Sequence, residues 1–291
     1  MQDAHEIIKC LSLGDAEIEY CEHGQGEPLL LVHAGVFADW FVPMAASQTL
    51  NDFRVIRVRR AGYGTNAPKR PLTLQDHASH NWALAEHLGI KTLHLVGHSS
   101  GGLIGLQVAS DHPALVHSLV LLEPAPCGPL QAPAFAEIGE RFVGPAMGAL
   151  AAGNLEEAFD TFMRGVCGDG HREVIERSMG NPAYEQAVRE SRFFFRDEVP
   201  AAMQWKFGAA EIARIRQPVL ILEGGEGRKH GLLSQQVTEL VMKLLPHAEF
   251  AMIEGVNHLM PLQDPDAVGR IIAGFARRHP ILSASAGQDV A

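Results

Sequence analysis

Four short apolar runs constrain what this chain can fold into more than any other feature. They are PLLLVHAG (28–35), TLHLV (92–96), SLVLLE (118–123) and PVLILEGG (218–225). A run that is apolar at nearly every position has no face to give to solvent. A strand made from it must be covered on both sides, as in a parallel sheet flanked by helices. Helical spacing appears between the runs. TLQDHASHNWALAEHLGI (73–90) repeats Leu74, His77/Ala78, Asn81, Ala85 and Leu88 at intervals of three and four and stops at Gly89. Residues 101–112 form a second apolar helical run, ended by Pro113.

Further strands are expected over 6–13, 16–24, 53–60 and 248–255, and further helices over 234–245 and 265–279. Strands alternating with helices predict an α/β fold with a doubly wound, mostly parallel sheet. Its length, 291 residues of which 46% are hydrophobic, suffices for one large core without a disulfide or metal staple. From 124 to about 216 the pattern changes to helix-biased sequence broken by Pro and Gly, which reads as an insertion above the sheet. The predicted organisation is a core of 1–124 and 213–280, a helical insertion over 125–212, and a frayed tail over 281–291.

Net charge is −10. An acidic chain is a poor partner for polyanions, so nucleic acid and anionic membranes are not expected partners. The start MQDAHEIIKC lacks a basic and then apolar leader, and no run reaches the ~18–20 apolar residues of a membrane span. The cytoplasm is the expected location. Cys10, Cys21, Cys127 and Cys167 make no CxxC pair and no zinc-like cluster with histidine, so reduced, mostly buried thiols and no metal are expected.

LHLVGHSSGG (93–102) carries the chemistry. Gly97-His98-Ser99-Ser100-Gly101 fits G-x-S-x-G at a strand-to-helix junction. A sharp turn there exposes Ser99 Oγ above the sheet, with small residues two positions to either side and a helix N-terminus beneath. The Ser100 N–H is the expected first oxyanion donor. Gly35 or Val36, after the strand 28–35, is the expected second. His258, in GVNHLMP after the last strand, is the expected base, and His98 is expected to line the site. The histidines at 77, 80 and 87 are expected to be solvated on one helix.

Taken together, VHAGV, RRAGYG, LVGHSSGG, HPALVHSLVLLEP, PVLILEGGE and GVNHLMP resemble the α/β-hydrolase superfamily. They span residues 29–275. The resemblance implies that the insertion is a cap and that the site lies between cap and sheet; the chemistry read from the residues is expected to need no cofactor. One element departs from the pattern. Most members carry an Asp about nine residues past the proline of PVLIL. That position is Gly227, and no Asp lies between Pro218 and His258.

A histidine base needs an acceptor on its other nitrogen. Glu123, closing the apolar run SLVLL, is the favoured acid, as in members whose acid ends the strand after the nucleophile helix. A charge there would be costly to bury without a partner. Glu226 is the alternative, and Glu223 has the poorer reach.

The insertion carries Phe135, Phe142, Phe159, Phe162, Phe193, Phe194, Phe195, Met203, Trp205 and Phe207, which suggests an apolar roof. Phe194 and Trp205 are the expected substrate contacts. Arg192 and Arg196 are expected to pair on the surface with Glu190, Asp197 or Glu198. The function read from these residues is a serine hydrolase acting on a medium-sized, largely apolar ester or lactone. A C–C bond hydrolase or perhydrolase could use the same triad. A ligand receptor on a hydrolase scaffold is the reading from another class. The partner is a small-molecule substrate; a homodimer is left open.

Overall fold

The computed structural model describes residues 7–65, 67–131, 133, 136–137, 139–230 and 233–282, the side chains of 228–230 excepted. Phe135 and most of the predicted tail, 283–291, lie outside the described residues.

Among the described residues, eight strands form one sheet: β1 Lys9–Ser12, β2 Glu17–His23, β3 Glu27–Val32, β4 Phe53–Arg59, β5 Leu93–His98, β6 Val116–Leu122, β7 Val219–Gly224 and β8 Glu249–Ile253. Their order is β1-β2-β4-β3-β5-β6-β7-β8. β1–β2 and β2–β4 pair antiparallel, and every pair from β4 through β8 is parallel. The four apolar runs became β3, β5, β6 and β7, at the centre and covered on both faces. One core layer packs Leu30, Leu95, Leu119 and Ile221 against the first pair of helices. Alternate residues of the same strands, Leu31, Val96, Val120 and Leu222, pack on the other side with Val268, Ile272 and Phe275.

Helix α1, Leu74–His87, begins with a capping box in which Thr73 and Asp76 satisfy each other's main-chain N–H groups. Its buried face is Leu74, His77, Ala78, Asn81, Leu84 and Ala85. This corrects one expectation: His77 and His80 are buried, and only His87 faces water. Burial holds the His77 ring well below the usual histidine pKa, with the Arg60 charge adding to the effect. Helix α2, Ser100–Asp111, lies almost wholly inside.

The chain between β6 and β7 is helical: α3 Gly144–Ala151, α4 Leu155–Cys167, α5 His171–Met179 and α6 Pro182–Phe193, then a π-helical turn Phe194–Glu198. A third apolar cluster joins these helices to Val36, Phe37 and Trp40 of the loop after β3. The helices thus cover the carboxyl ends of the central strands. From Ala202 onward, side chains already pack with the α2 side of the core: Ala202, Trp205, Phe207 and Ile215 belong to that first layer. After β7 the chain forms a short helix, Gly225–His230, then α7 Leu233–Leu244. The last helix, α8, is Pro265–Arg278. No helix among the described residues is long and apolar enough to cross a membrane.

Candidate active site

Among the described residues, three other than glycine take positive φ, and all three stand at the carboxyl edge of the sheet: Val36 (67°), Ser99 (53°) and Glu123 (36°). Such backbone is costly and persists only where the surroundings hold it, a pattern typical of functional sites. Ser99 is held by its N–H to Leu122 O (2.9 Å) and by its carbonyl, which accepts from Ala125 N (3.1 Å) and Gly102 N (2.9 Å). The glycines of the motif are there for space. A Cβ on Gly97 would come within 2.4 Å of Gly101 O, and one on Gly101 within 2.2 Å of Val32 O. Ser100 opens α2, so its N–H lies in the first turn, where no carbonyl of the same helix can accept it.

Glu123 follows β6 directly. Its Oε2 lies 2.7 Å from His258 Nδ1, and its Oε1 accepts from the Gly224 N–H (2.9 Å). An ionised carboxylate can only accept, so Nδ1 is the nitrogen that carries the proton toward Glu123, and Nε2 is the one left for the cavity side. The loop bearing His258 is pinned by Asn257, whose Nδ2 donates to Cys167 O (2.7 Å) and whose N–H donates to Gln263 Oε1 (2.8 Å). Glu226 lies on the short helix 225–230, with its N–H bonded to Val256 O (2.9 Å). Glu223 is fully buried and accepts from Ser234 Oγ (3.1 Å) and Thr238 Oγ1 (2.9 Å).

Ser99, Ser100, Glu123 and His258 line one cavity of about 570 Å³ beneath the helices. Phe142, Phe162, Phe194 and Val199 contribute apolar wall, and Cys127 and Cys167 are also on it. Burial pushes the Cys127 thiol up to about 11, with Glu198 nearby reinforcing it. Burial likewise raises Cys167, with the Glu123 charge second. Both therefore stay as thiols near neutral pH.

Phe194 is on the wall, with its ring packed against Gly35. Two other expected contacts are elsewhere. Trp205 lies in the core layer beside α2, stacked on Phe207 at 4.5 Å, and its indole N–H donates to Gln107 Oε1 (2.8 Å). The indole is drawn there by an apolar surface with one polar acceptor, which suits its shape. His98 is fully buried behind the site, 4.5 Å from the His258 ring and 4.7 Å from Trp40. Strand alternation turns it away from the cavity. Desolvation keeps it well below the ordinary histidine pKa, and the neighbouring His258 adds to that.

The loop after β3 is held through its carbonyls. His33 Nε2 accepts from the Arg60 main-chain N–H (3.1 Å), so Nδ1 carries the proton and donates to Ala34 O (2.6 Å). Gly35 O accepts from Trp40 Nε1 (2.8 Å). The cluster of buried charge next to this loop was not anticipated. Of the expected surface pairs, Arg196–Asp197 (2.9 Å) forms. Glu190 and Glu198 instead turn inward, to Arg59 (2.8 Å) and Arg60 (3.1 Å). The one sequence signal was the cation pair that closes the otherwise β-like run FRVIRVRR.

Residues 29–271 match the model of the alpha/beta hydrolase family. The chain belongs to that family. As a hydrolase it is similar to a fluoroacetate dehalogenase of a Burkholderia species, 26% identical over 92% of each chain. It is also similar to a pimeloyl-[acyl-carrier protein] methyl ester esterase of Aeromonas hydrophila, 26% identical over 87% of this chain and 96% of the esterase. Among solved structures, the enol-lactonase of Burkholderia xenovorans LB400 superposes with a TM-score of 0.75 over 92% of this chain and all of that one, at 19% identity.

Proposed function

We propose that the chain is a cofactor-free serine hydrolase that cleaves a carboxylic ester or lactone through an acyl-enzyme. Ser99 Oγ attacks the acyl carbon while His258 Nε2 takes its proton. Glu123 holds His258 in the required tautomer and stabilises the imidazolium. The N–H groups of Ser100 and of Gly35 or Val36 receive the developing oxyanion. His258 returns the proton to the leaving alkoxide, and water, activated by the same histidine, releases the acid. A lactone follows the same steps, with the alcohol still tethered to the acyl group.

The observation that carries this reading is the 2.7 Å contact of Glu123 with His258 Nδ1 at the edge of the cavity that Ser99 also lines. The methyl ester esterase relative supports ester cleavage. Halide displacement, as the dehalogenase relative's name describes, calls for a carboxylate nucleophile, and Ser99 stands in that place. The helices over 125–212 are read as a cap, and the cavity of about 570 Å³ with its phenylalanines suits a medium-sized, largely apolar substrate.

A panel of chromogenic esters and lactones run on the wild type and Ser99→Ala tests the reading, together with labelling by a fluorophosphonate. Turnover and labelling that both vanish in Ser99→Ala are expected. A folded wild type that neither labels nor turns over any substrate would leave the receptor reading standing instead.

A further inference from the structure

Arg60 is the first residue after β4, and only 1% of it is exposed. Its Nη2 lies 2.9 Å from Ala34 O, 3.4 Å from Ser100 Oγ and 3.1 Å from the Glu198 carboxylate. Its guanidinium carbon sits 4.9 Å from the centre of the Tyr63 ring, and the Tyr63 hydroxyl donates to Glu198. Among the described residues, Nε and Nη1 have no hydrogen-bond partner. A buried ion pair is a weak way to stabilise a fold, since apolar residues of the same volume often do as well. What the guanidinium touches is more telling. Ala34 O belongs to the same planar peptide as the Gly35 N–H, so fixing one direction fixes the other. Ser100 supplies the other N–H. Glu198 belongs to the π-helical turn of the covering helices and lines the cavity.

We propose that Arg60 is a positioning residue that ties the two halves of the oxyanion hole to each other and to the covering helices. One nitrogen bridges the Ala34–Gly35 peptide, Ser100 and Glu198, so the hole reaches its working spacing only when those helices are seated. Oxyanion donors act through their distance to the charge that develops in the transition state, so a small relaxation of this bridge lowers turnover more than substrate binding. The inference rests on the proposed role of Ser99 and on Gly35, of the two candidate donors after β3, supplying the second N–H.

The test compares the wild type with Glu198→Gln, Arg60→Lys and the double variant Arg60→Met/Glu198→Met on an ester whose cleavage depends on Ser99. The apolar pair removes both charges at once and leaves neither buried alone, which keeps the fold measurable. In the double variant kcat is expected to fall about 10- to 100-fold, less than the about 10²–10³ of losing one donor outright. KM should stay within about threefold, and a trifluoromethyl ketone that forms the tetrahedral adduct should lose affinity in parallel with kcat. A double variant that folds, binds the ketone as the wild type does and keeps its kcat would overturn the role of Arg60 while leaving Ser99 in place. A wild type without Ser99-dependent turnover would overturn both.

Discussion

The ends of β6 and β7 face the same histidine loop and are built in opposite ways. After β6 the chain takes a positive-φ turn at Glu123, whose carboxylate is gripped by His258 and the Gly224 N–H. After β7 the chain relaxes into the short helix 225–230, where the position usual for the acid is Gly227. The two ends nonetheless converge. A Cβ built on Gly227 would lie 3.4 Å from Glu123 Oε1 and 3.3 Å from Ser234 Oγ. What the histidine requires is a carboxylate at a point in space. In this structure the carboxylate beside Nδ1 comes from the strained end.

The largest expected effect comes from removing that carboxylate. Glu123→Gln should lower kcat by about 10³–10⁴-fold, the scale set by loss of the acid from a serine triad, read in steady-state ester kinetics. A result within tenfold of the wild type would break the comparison, because β6 would then not supply the acid. Next is the transplant. Glu123→Ala/Gly227→Asp should recover roughly tenfold or more of the activity lost in Glu123→Ala, since the added carboxylate enters the vacated space. No recovery in a folded double variant, judged by circular dichroism, would mean that the two ends do not converge as drawn.

A third expectation sharpens the contrast through stability. His33 and His98 lie behind the strained side, His77 beneath it, and burial holds all three well below their usual pKa. The unfolded chain takes up protons at these residues below about pH 6.5, whereas the folded one does not. Stability is therefore full above that pH and declines as the pH falls, by up to about 1.4 kcal/mol per unit and per histidine. Thermal melts between pH 7.5 and 5 should show it, and His98→Phe should flatten the slope. An unchanged slope would show that His98 is protonated in the fold. The smallest effect is expected on the relaxed side, where Glu226→Gln should change kcat by less than about threefold. A larger loss there than in Glu123→Gln would reverse the assignment.

The sheet and its helices were legible because their signals are local: apolar runs without a polar face, helical spacing from Leu74 to Leu88, glycines around Ser99. So were the candidate nucleophile and base, since each sits in the first loop after a strand. Trp205 and His98 were misplaced because composition does not tell which side of a helix or strand faces a cavity. The buried pairs Arg59–Glu190 and Arg60–Glu198 join residues 131 and 138 positions apart. No periodicity connects them, and each charge taken alone reads as surface.

By itself the sequence determined the parallel sheet, the strand-to-helix turn at Ser99 and the lack of an Asp after β7, all of which follow from short-range pattern and steric need. Only the tertiary structure decided which glutamate meets His258 and which arginine is sealed beside Ser100. Those outcomes depend on how distant strands and helices bring charges together out of water, where a carboxylate or guanidinium is tolerated only if the fold has already placed a partner within reach.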